Sequence, residues 1–324
     1  MDEKKPGMEK TAVERCPLCG EKSASGTFRA CDRLHGLPGA FTAAKCSGCS
    51  SLYLKDVPRD PGAYYPEGKY YSTYDSNTHE LRTKKKIIGL YYSGRSGRGL
   101  SYYLLYPLKD RVQGIPDFVP GGRALDVGCG SGLILDLLKS AGWETHGIDT
   151  SASAIELVRK KGHNGVCGEF RDELFRPGYF DAVIMSHSIE HVKDPPGYLG
   201  LAFGKLKPGG QLVLVAPNAC SLGFRLFGKA WTHVDAPRHV CVPSVRGMTA
   251  MLRKAGFSVE SVVYTGCGWS QSLDYLVNGS HTPGSFFYRP FIKTPLEALA
   301  QALNVLKLGD FFQIKARKRE TNAP

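Results

Sequence analysis

The chain has 324 residues, 42% of them hydrophobic and 22% charged, which is the texture of an ordinary globular protein with one large unit and one small one. Its formal charge of +12 would attract polyanions, but the densest cationic stretches are only Lys84-Lys85-Lys86, Arg95 to Arg98 and the tail Lys315-Ala-Arg-Lys-Arg319, so charge alone does not specify nucleic acid. No apolar run reaches the roughly 18 residues of a membrane span, and the charged start Met1-Asp-Glu-Lys-Lys-Pro6 lacks an apolar signal core, so the expected compartment is the cytosol.

Taken in chain order, residues 1–76 hold the first distinctive pattern. Of the ten cysteines, Cys16, Cys19, Cys46 and Cys49 form two Cys-x-x-Cys pairs, while Cys129, Cys167, Cys220, Cys241 and Cys267 are dispersed. Without a secretory signal this grouping favours a metal over disulfides. Each pair can form a tight knuckle, with Gly20 and Gly48 at the turns, and four thiolates suit tetrahedral Zn²⁺ in a closed, structural site. Iron or free thiols are the alternatives, and Cys31 and His35 are spare ligand candidates. A tyrosine-rich stretch around Tyr64-Tyr-Pro66 reads as an irregular connection, and residues 77–120 read as a partly helical linker broken by Gly94, Gly97, Gly99, Pro116 and Pro120.

From Arg123 short apolar runs alternate with helical patterns, which predicts a parallel sheet with crossover helices. Strands are expected over 123–127, 145–149, near 165–167, over 180–185, 210–216, 258–264 and 311–317. Helices are expected after Gly132 through Leu138, over 153–161 and over 245–254. Two insertions, 218–243 and 267–309, interrupt this unit of 121–324, where loops after strands tend to build substrate sites.

Asp126-Val-Gly-Cys-Gly-Ser-Gly132 stands between the first expected strand and helix of this unit. Glycines there let the backbone approach a ligand, and the helix start presents free N–H groups to an anionic group. The spacing is G-x-G-x-G, with Leu133 where a dinucleotide fingerprint needs its third glycine, which argues against a pyrophosphate. Asp149 ends the second strand, 21 positions past Gly128, where a carboxylate can accept from both hydroxyls of a ribose.

These residues resemble the class I S-adenosylmethionine-dependent methyltransferases. Leu125 to Gly132 is similar to that family's first motif, Gly147-Ile-Asp-Thr-Ser151 to its second, Phe180-Asp181 to the fourth-strand motif, and Leu206-Lys-Pro-Gly-Gly210 to the turn before strand five. The resemblance implies a Rossmann-like, seven-stranded α/β sheet with an antiparallel last strand and S-adenosylmethionine across its carboxyl edge. Asp126, Gly128, Gly130 and Gly132 would line the methionyl part. Asp149 and Thr150 would hold the ribose, and Glu169 and Phe170 would lie at the adenine, with Glu169 standing where the family has Asp. Ser186 and His187 would flank the reacting methyl group.

Ser186-His-Ser-Ile-Glu-His191 follows the fourth strand. Its His-x-x-Glu-His spacing matches an inverted zinc-protease helix, but its place in a cofactor-binding sheet makes that a coincidence. His187, Glu190 and His191 are candidates for removing a proton from an acceptor, because histidine titrates near neutrality; a capping role for Glu190 and His191 is the alternative. The segment also resembles quinone-biosynthetic O-methyltransferases, which carry Glu-x-x-Glu-His here and hold a divalent metal. His187 stands at their first carboxylate, so Mg²⁺ is less well served. In the insertion, Trp231-Thr-His-Val-Asp-Ala-Pro-Arg-His239 gathers His233, Asp235, Arg238 and His239. Arg238 is expected to clamp a phosphate or carboxylate, and His233 or His239 to serve as base.

The expected function is methyl transfer to a small-molecule acceptor, anionic ones among the candidates, most simply the O-methylation of a glycan, sugar nucleotide or related metabolite. A zinc module ahead of this fold resembles methyltransferases of bacterial polysaccharide and natural-product pathways, and also sugar C-methyltransferases. RNA methylation is the rival, weakened by the lack of an Asn/Asp-Pro-Pro-aromatic motif after strand four. A non-catalytic S-adenosylmethionine-binding module is the third reading.

Overall fold

The computed structural model describes residues 9–66, 83–89, 113–266 and 268–319. The linker expected over 77–120 therefore lies largely outside the described residues; within it 83–89 are helical and bury Ile88, and 113–120 are irregular and bury Ile115.

Seven strands form the main sheet: β6 (Arg123–Val127), β7 (Glu144–Asp149), β8 (Asn164–Cys167), β9 (Phe180–Ser186), β10 (Leu206–Pro217), β12 (Phe257–Thr265) and β13 (Phe311–Lys318). Their spatial order is β12-β13-β10-β9-β6-β7-β8. The β6–β10 neighbours pair in parallel, and β13 runs antiparallel to both β10 and β12. The order reverses between β6 and β9, so the carboxyl ends of those two strands open the crevice where α/β sheets take ligands. This is the sheet that the sequence led us to expect.

Local signals place the helices. Gly132 starts α1 (Leu133–Ser140) at φ 83°, and the Ser151 hydroxyl accepts from the Ala154 N–H to start α2 (Ala152–Lys160). Asp194 caps α3 (Pro195–Lys205) through the Gly197 N–H, and proline at the first turn costs no hydrogen bond there. Ser221 and Ser244 cap α4 (Leu222–Phe227) and α5 (Val245–Lys254) in the same way. α6 (Trp269–Asn278) and α7 (Pro290–Ala302) fill the second insertion. β10 begins four residues earlier than expected, at Leu206. The Lys207-Pro-Gly-Gly210 turn becomes a register shift against β9 instead of a separate loop.

The N-terminal region makes a short β1 (Lys10–Ala12) with β5 (Asp56–Pro58), and a second sheet of β2 (Ala24–Ala30), β3 (Phe41–Cys46) and β4 (Leu52–Leu54). The fourth strand of that sheet is β11 (Cys241–Val242) from the insertion, paired as Cys241 with Tyr53 and Val242 with Leu52. Cys16, Leu18, Cys46, Cys49 and Tyr53 share one apolar cluster with Met248, Met251 and Leu252 of α5, so the cysteine knuckles are packed onto the main unit. No described helix is long and apolar enough to cross a membrane.

Candidate cofactor and acceptor site

The loop from β6 to α1 turns through Gly128, Gly130 and Gly132 at φ 79°, 49° and 83°, a region costly for any residue with a Cβ. At Gly128 a Cβ would also lie 2.7 Å from Cβ of Ser188. Asp149 is tied to this loop: Oδ2 accepts from the Gly130 N–H and Oδ1 from the Ser151 N–H, both at 2.9 Å. Each oxygen keeps a lone pair, and the residue is part-exposed. Asp126 is 2% exposed, and its Oδ1 has no hydrogen-bond partner among the described residues. Burial, and secondarily the Asp149 charge, push its pKa up to about 8. A site with two facing acids and one unpaired oxygen fits a cationic ligand, and S-adenosylmethionine carries a sulfonium and an ammonium.

Other expected cofactor contacts sit differently. Thr150 is exposed, and Glu169 points outward to Arg171 at 3.0 Å. The Phe170 ring packs into the core beside Phe175 and Tyr198, so it offers no open face to an adenine.

β9 ends at Ser186, and His187 leaves it at φ 54°, a conformation non-glycine residues rarely adopt. Its N–H is held by the Val215 carbonyl at 2.9 Å, and its ring meets that of Phe311 at 4.7 Å between centroids. Nδ1 of His187 lies 3.4 Å from Oε1 of Glu190, whose side chain is fully buried. Burial pushes the Glu190 carboxyl up, and the contact with His187, with the charges of His191 and His239, more than reverses that. The ring of His191 stacks edge-on to that of His239, 4.8 Å apart.

The structure thus brings His187, Glu190, His191 and His239 together, and the His233 ring also packs against Phe311, 4.4 Å between centroids. They are not equivalent as bases. Burial, then the His239 charge, hold His191 down to about 4, and the same two causes hold His233 down to about 3. Groups that weak are poor bases at neutrality. His187 keeps a third of its side chain exposed, and so can meet an acceptor.

Arg238 is not available to an anionic acceptor, which corrects the expectation for it. Its side chain is fully buried; Nε and Nη2 donate to Asp235, Nη2 also to Asp32 at 2.7 Å, and Nη1 to the Tyr64 carbonyl at 3.1 Å. With its donors spent internally, it clamps the insertion to the N-terminal region, and Asp235 serves that clamp. Three residues were missed in the sequence. Tyr65 places its hydroxyl 3.0 Å from Nδ1 of His191, Phe311 packs against the rings of both His187 and His233, and Asp32 holds Arg238. Tyr65 stood in the tyrosine-rich stretch, but nothing local connects it to a residue 126 positions away.

The four paired cysteines converge. Sγ of Cys16 and Cys49 are 3.6 Å apart, and those of Cys19 and Cys46 3.4 Å. A tetrahedral zinc thiolate site places sulfurs about 3.8 Å apart, so the set fits that ion. Cys31 and His35 are not in it. The two knuckles are alike: Gly20 N–H donates to the Cys16 carbonyl and Ser50 N–H to that of Cys46. The left-handed residue is Gly20 in the first (φ 77°) and Ser50 in the second (φ 65°), while Gly48 lies within the second turn as expected.

Strand order and the glycine loop together define a class I methyltransferase fold. Residues 100–262 match the family model described as "Methyltransferase domain", and the chain belongs to that family. Curated relatives include the ubiquinone biosynthesis O-methyltransferase of Xanthomonas campestris pv. campestris (strain B100), 33% identical over 115 residues, which are 33% of this chain and 48% of that protein. The enzyme of the same name from Xanthomonas euvesicatoria pv. vesicatoria is 33% identical over 160 residues, 44% of this chain and 65% of its own. The chain spans about half the length of the first of these relatives. Among solved structures, a SAM dependent methyltransferase from Archaeoglobus fulgidus aligns over 74% of this chain and 100% of its own, at 22% identity and a TM-score of 0.46.

Proposed function

We propose that the protein transfers the methyl group of S-adenosylmethionine to a hydroxyl of a small-molecule acceptor, with Zn²⁺ held structurally by Cys16, Cys19, Cys46 and Cys49. The observation that carries the cofactor reading is Asp149, held by the N–H of Gly130 in the glycine loop and by that of Ser151, with its outer lone pairs open. Ribose hydroxyls would donate to it, Gly128 to Gly132 would accommodate the methionyl chain, and the Asp126 carboxylate would meet the ammonium. The cofactor supplies an activated methyl and its own leaving group. The chain's task is then to align an acceptor oxygen in line with the methyl and take its proton.

His187 is the base in this reading, with Glu190 steadying its ring and stabilising the imidazolium that forms. Oxygen as nucleophile is supported by the two relatives named as O-methyltransferases. With Arg238 committed elsewhere, the argument for an anionic acceptor loses its clamp, and neutral sugar or phenol hydroxyls fit the site better than a phosphate does. The test has two stages. Calorimetry of the full chain should give saturable binding of S-adenosylmethionine and of its demethylated product, weakened roughly 100-fold by Asp149→Ala through loss of two charged hydrogen bonds. Labelled methyl transfer should then be screened across phenols, sugars, sugar nucleotides and RNA. Failure to bind the cofactor ends the proposal; transfer only to RNA replaces the acceptor.

A further inference from the structure

We infer that Glu190, His191 and His239 form a second metal site, selective for a borderline divalent ion such as Zn²⁺, Co²⁺ or Ni²⁺ over Mg²⁺. One ligand atom from each of the three lies within 4.8 Å of the others, close enough for shifts of about 1 Å to bring them around one ion. Two further observations point to a cation. Glu190 is completely buried, yet neither carboxylate oxygen receives a hydrogen bond from a described residue; its nearest ionic neighbour is His187 at 3.4 Å. A buried carboxylate left so is costly unless a cation meets it.

Both histidines are also held as metal ligands are held. Nδ1 of His191 lies 3.0 Å from the Arg238 carbonyl, and Nδ1 of His239 lies 2.8 Å from the His233 carbonyl. A carbonyl only accepts, so the His239 ring proton sits on Nδ1 and its Nε2 keeps a lone pair; His191, whose Nδ1 also meets the Tyr65 hydroxyl at 3.0 Å, takes the same tautomer when that hydroxyl accepts. The nearest carboxylate to Nε2 of His239 is Asp235 at 3.9 Å, beyond hydrogen-bond range and already engaged by Arg238. The Glu-x-x-Glu-His pattern would instead have drawn its ligands from one segment. Here His187, at the first position, is turned to Glu190, and the third ligand comes from the insertion 48 positions beyond His191. Two imidazoles and one carboxylate suit a borderline ion, and three protein ligands leave positions open. The ion's place beside the acceptor rests on the methyl-transfer reading; its binding does not.

Cobalt distinguishes this site from the cysteine set, because only the thiolates give intense near-ultraviolet charge-transfer bands. The apo full-length chain titrated with Co²⁺ should take up about two equivalents, one with that signature and one with weak visible bands alone. Glu190→Gln and His239→Ala should each abolish the second equivalent and keep the first, whose spectrum also reports that the chain is folded. His187→Ala should keep both. Uptake of one thiolate-type equivalent by the wild type, or retention of the second by both ligand variants, would overturn the site. Two equivalents in a chain that binds no S-adenosylmethionine would leave the site standing and remove its link to methyl transfer.

Discussion

Asp32 and Arg238 form an ion pair at 2.7 Å, 206 positions apart in the chain and with both side chains fully out of solvent. Asp32 also accepts from the backbone N–H groups of Leu34, His35 and Leu37, so one carboxylate organises its own loop and anchors the insertion. Removing it leaves a buried guanidinium with Asp235 alone. Asp32→Ala is expected to cost about 3 kcal/mol, the lower end for a broken buried pair because one partner remains. Urea denaturation measures this, and methyl transfer should fall while cofactor affinity holds, since His239 directly follows Arg238 and the glycine loop is untouched.

A related linkage runs through the cysteine knuckles. The Ser244 hydroxyl donates to the Cys49 carbonyl, and the Ser244 N–H donates to the Ser51 hydroxyl at 2.9 Å, so the start of α5 is docked on the second knuckle. Chelation of metal from the cysteines is expected to loosen α5 and β11 together with β3 and β4. Hydrogen exchange should show amide protection at Tyr53, Val242 and Met248 lost in one step. Loss confined to the residues before 66 would mean that the knuckles are independent of the main unit.

The sign of a pH effect follows from Asp126. Its pKa is raised to about 8 in the ligand-free chain, so the folded state favours the protonated acid, and its contribution to stability falls as pH rises from near 4 through 8. Binding a cation reverses the preference and expels the proton. Affinity for S-adenosylmethionine is therefore expected to rise with pH between 6 and 8, by up to about tenfold per unit. Calorimetry in buffers of different ionisation enthalpy should show proton release at pH 7. Asp126→Asn should flatten the profile and remove the release; an unchanged slope would mean that another group titrates.

Much of the main sheet was legible because each strand is a short apolar run with its own start and stop. Lys207-Pro-Gly-Gly210 announces β10, and Ala255-Gly256 closes α5 before β12. The cofactor loop was legible for the same reason, its glycines and Asp149 lying on consecutive local elements. The acceptor side was not. β11 is two residues long and pairs with β4, about 190 positions earlier, and no local period encodes such a partner. Arg238 illustrates the same limit: a basic residue in a polar loop reads as a free clamp until Asp32 and the Tyr64 carbonyl arrive from the other end of the chain. Histidines, too, look alike in sequence, and it is desolvation together with the charge of His239, both set by the fold, that sets His191 and His233 low.

That lowering leads to the most discriminating mutational test. If His187 takes the acceptor proton, His187→Ala should lower kcat roughly 100-fold to 10,000-fold with the dissociation constant of S-adenosylmethionine unchanged. His233→Ala removes a ring that burial holds at about 3, so its effect should come through packing against Trp231 and Phe311. It should appear as lost stability, with a smaller fall in kcat. The acid limb of kcat should be unchanged in His233→Ala, because burial and the His239 charge already hold that ring's pKa down to about 3. An undiminished kcat in His187→Ala would remove His187 as the base.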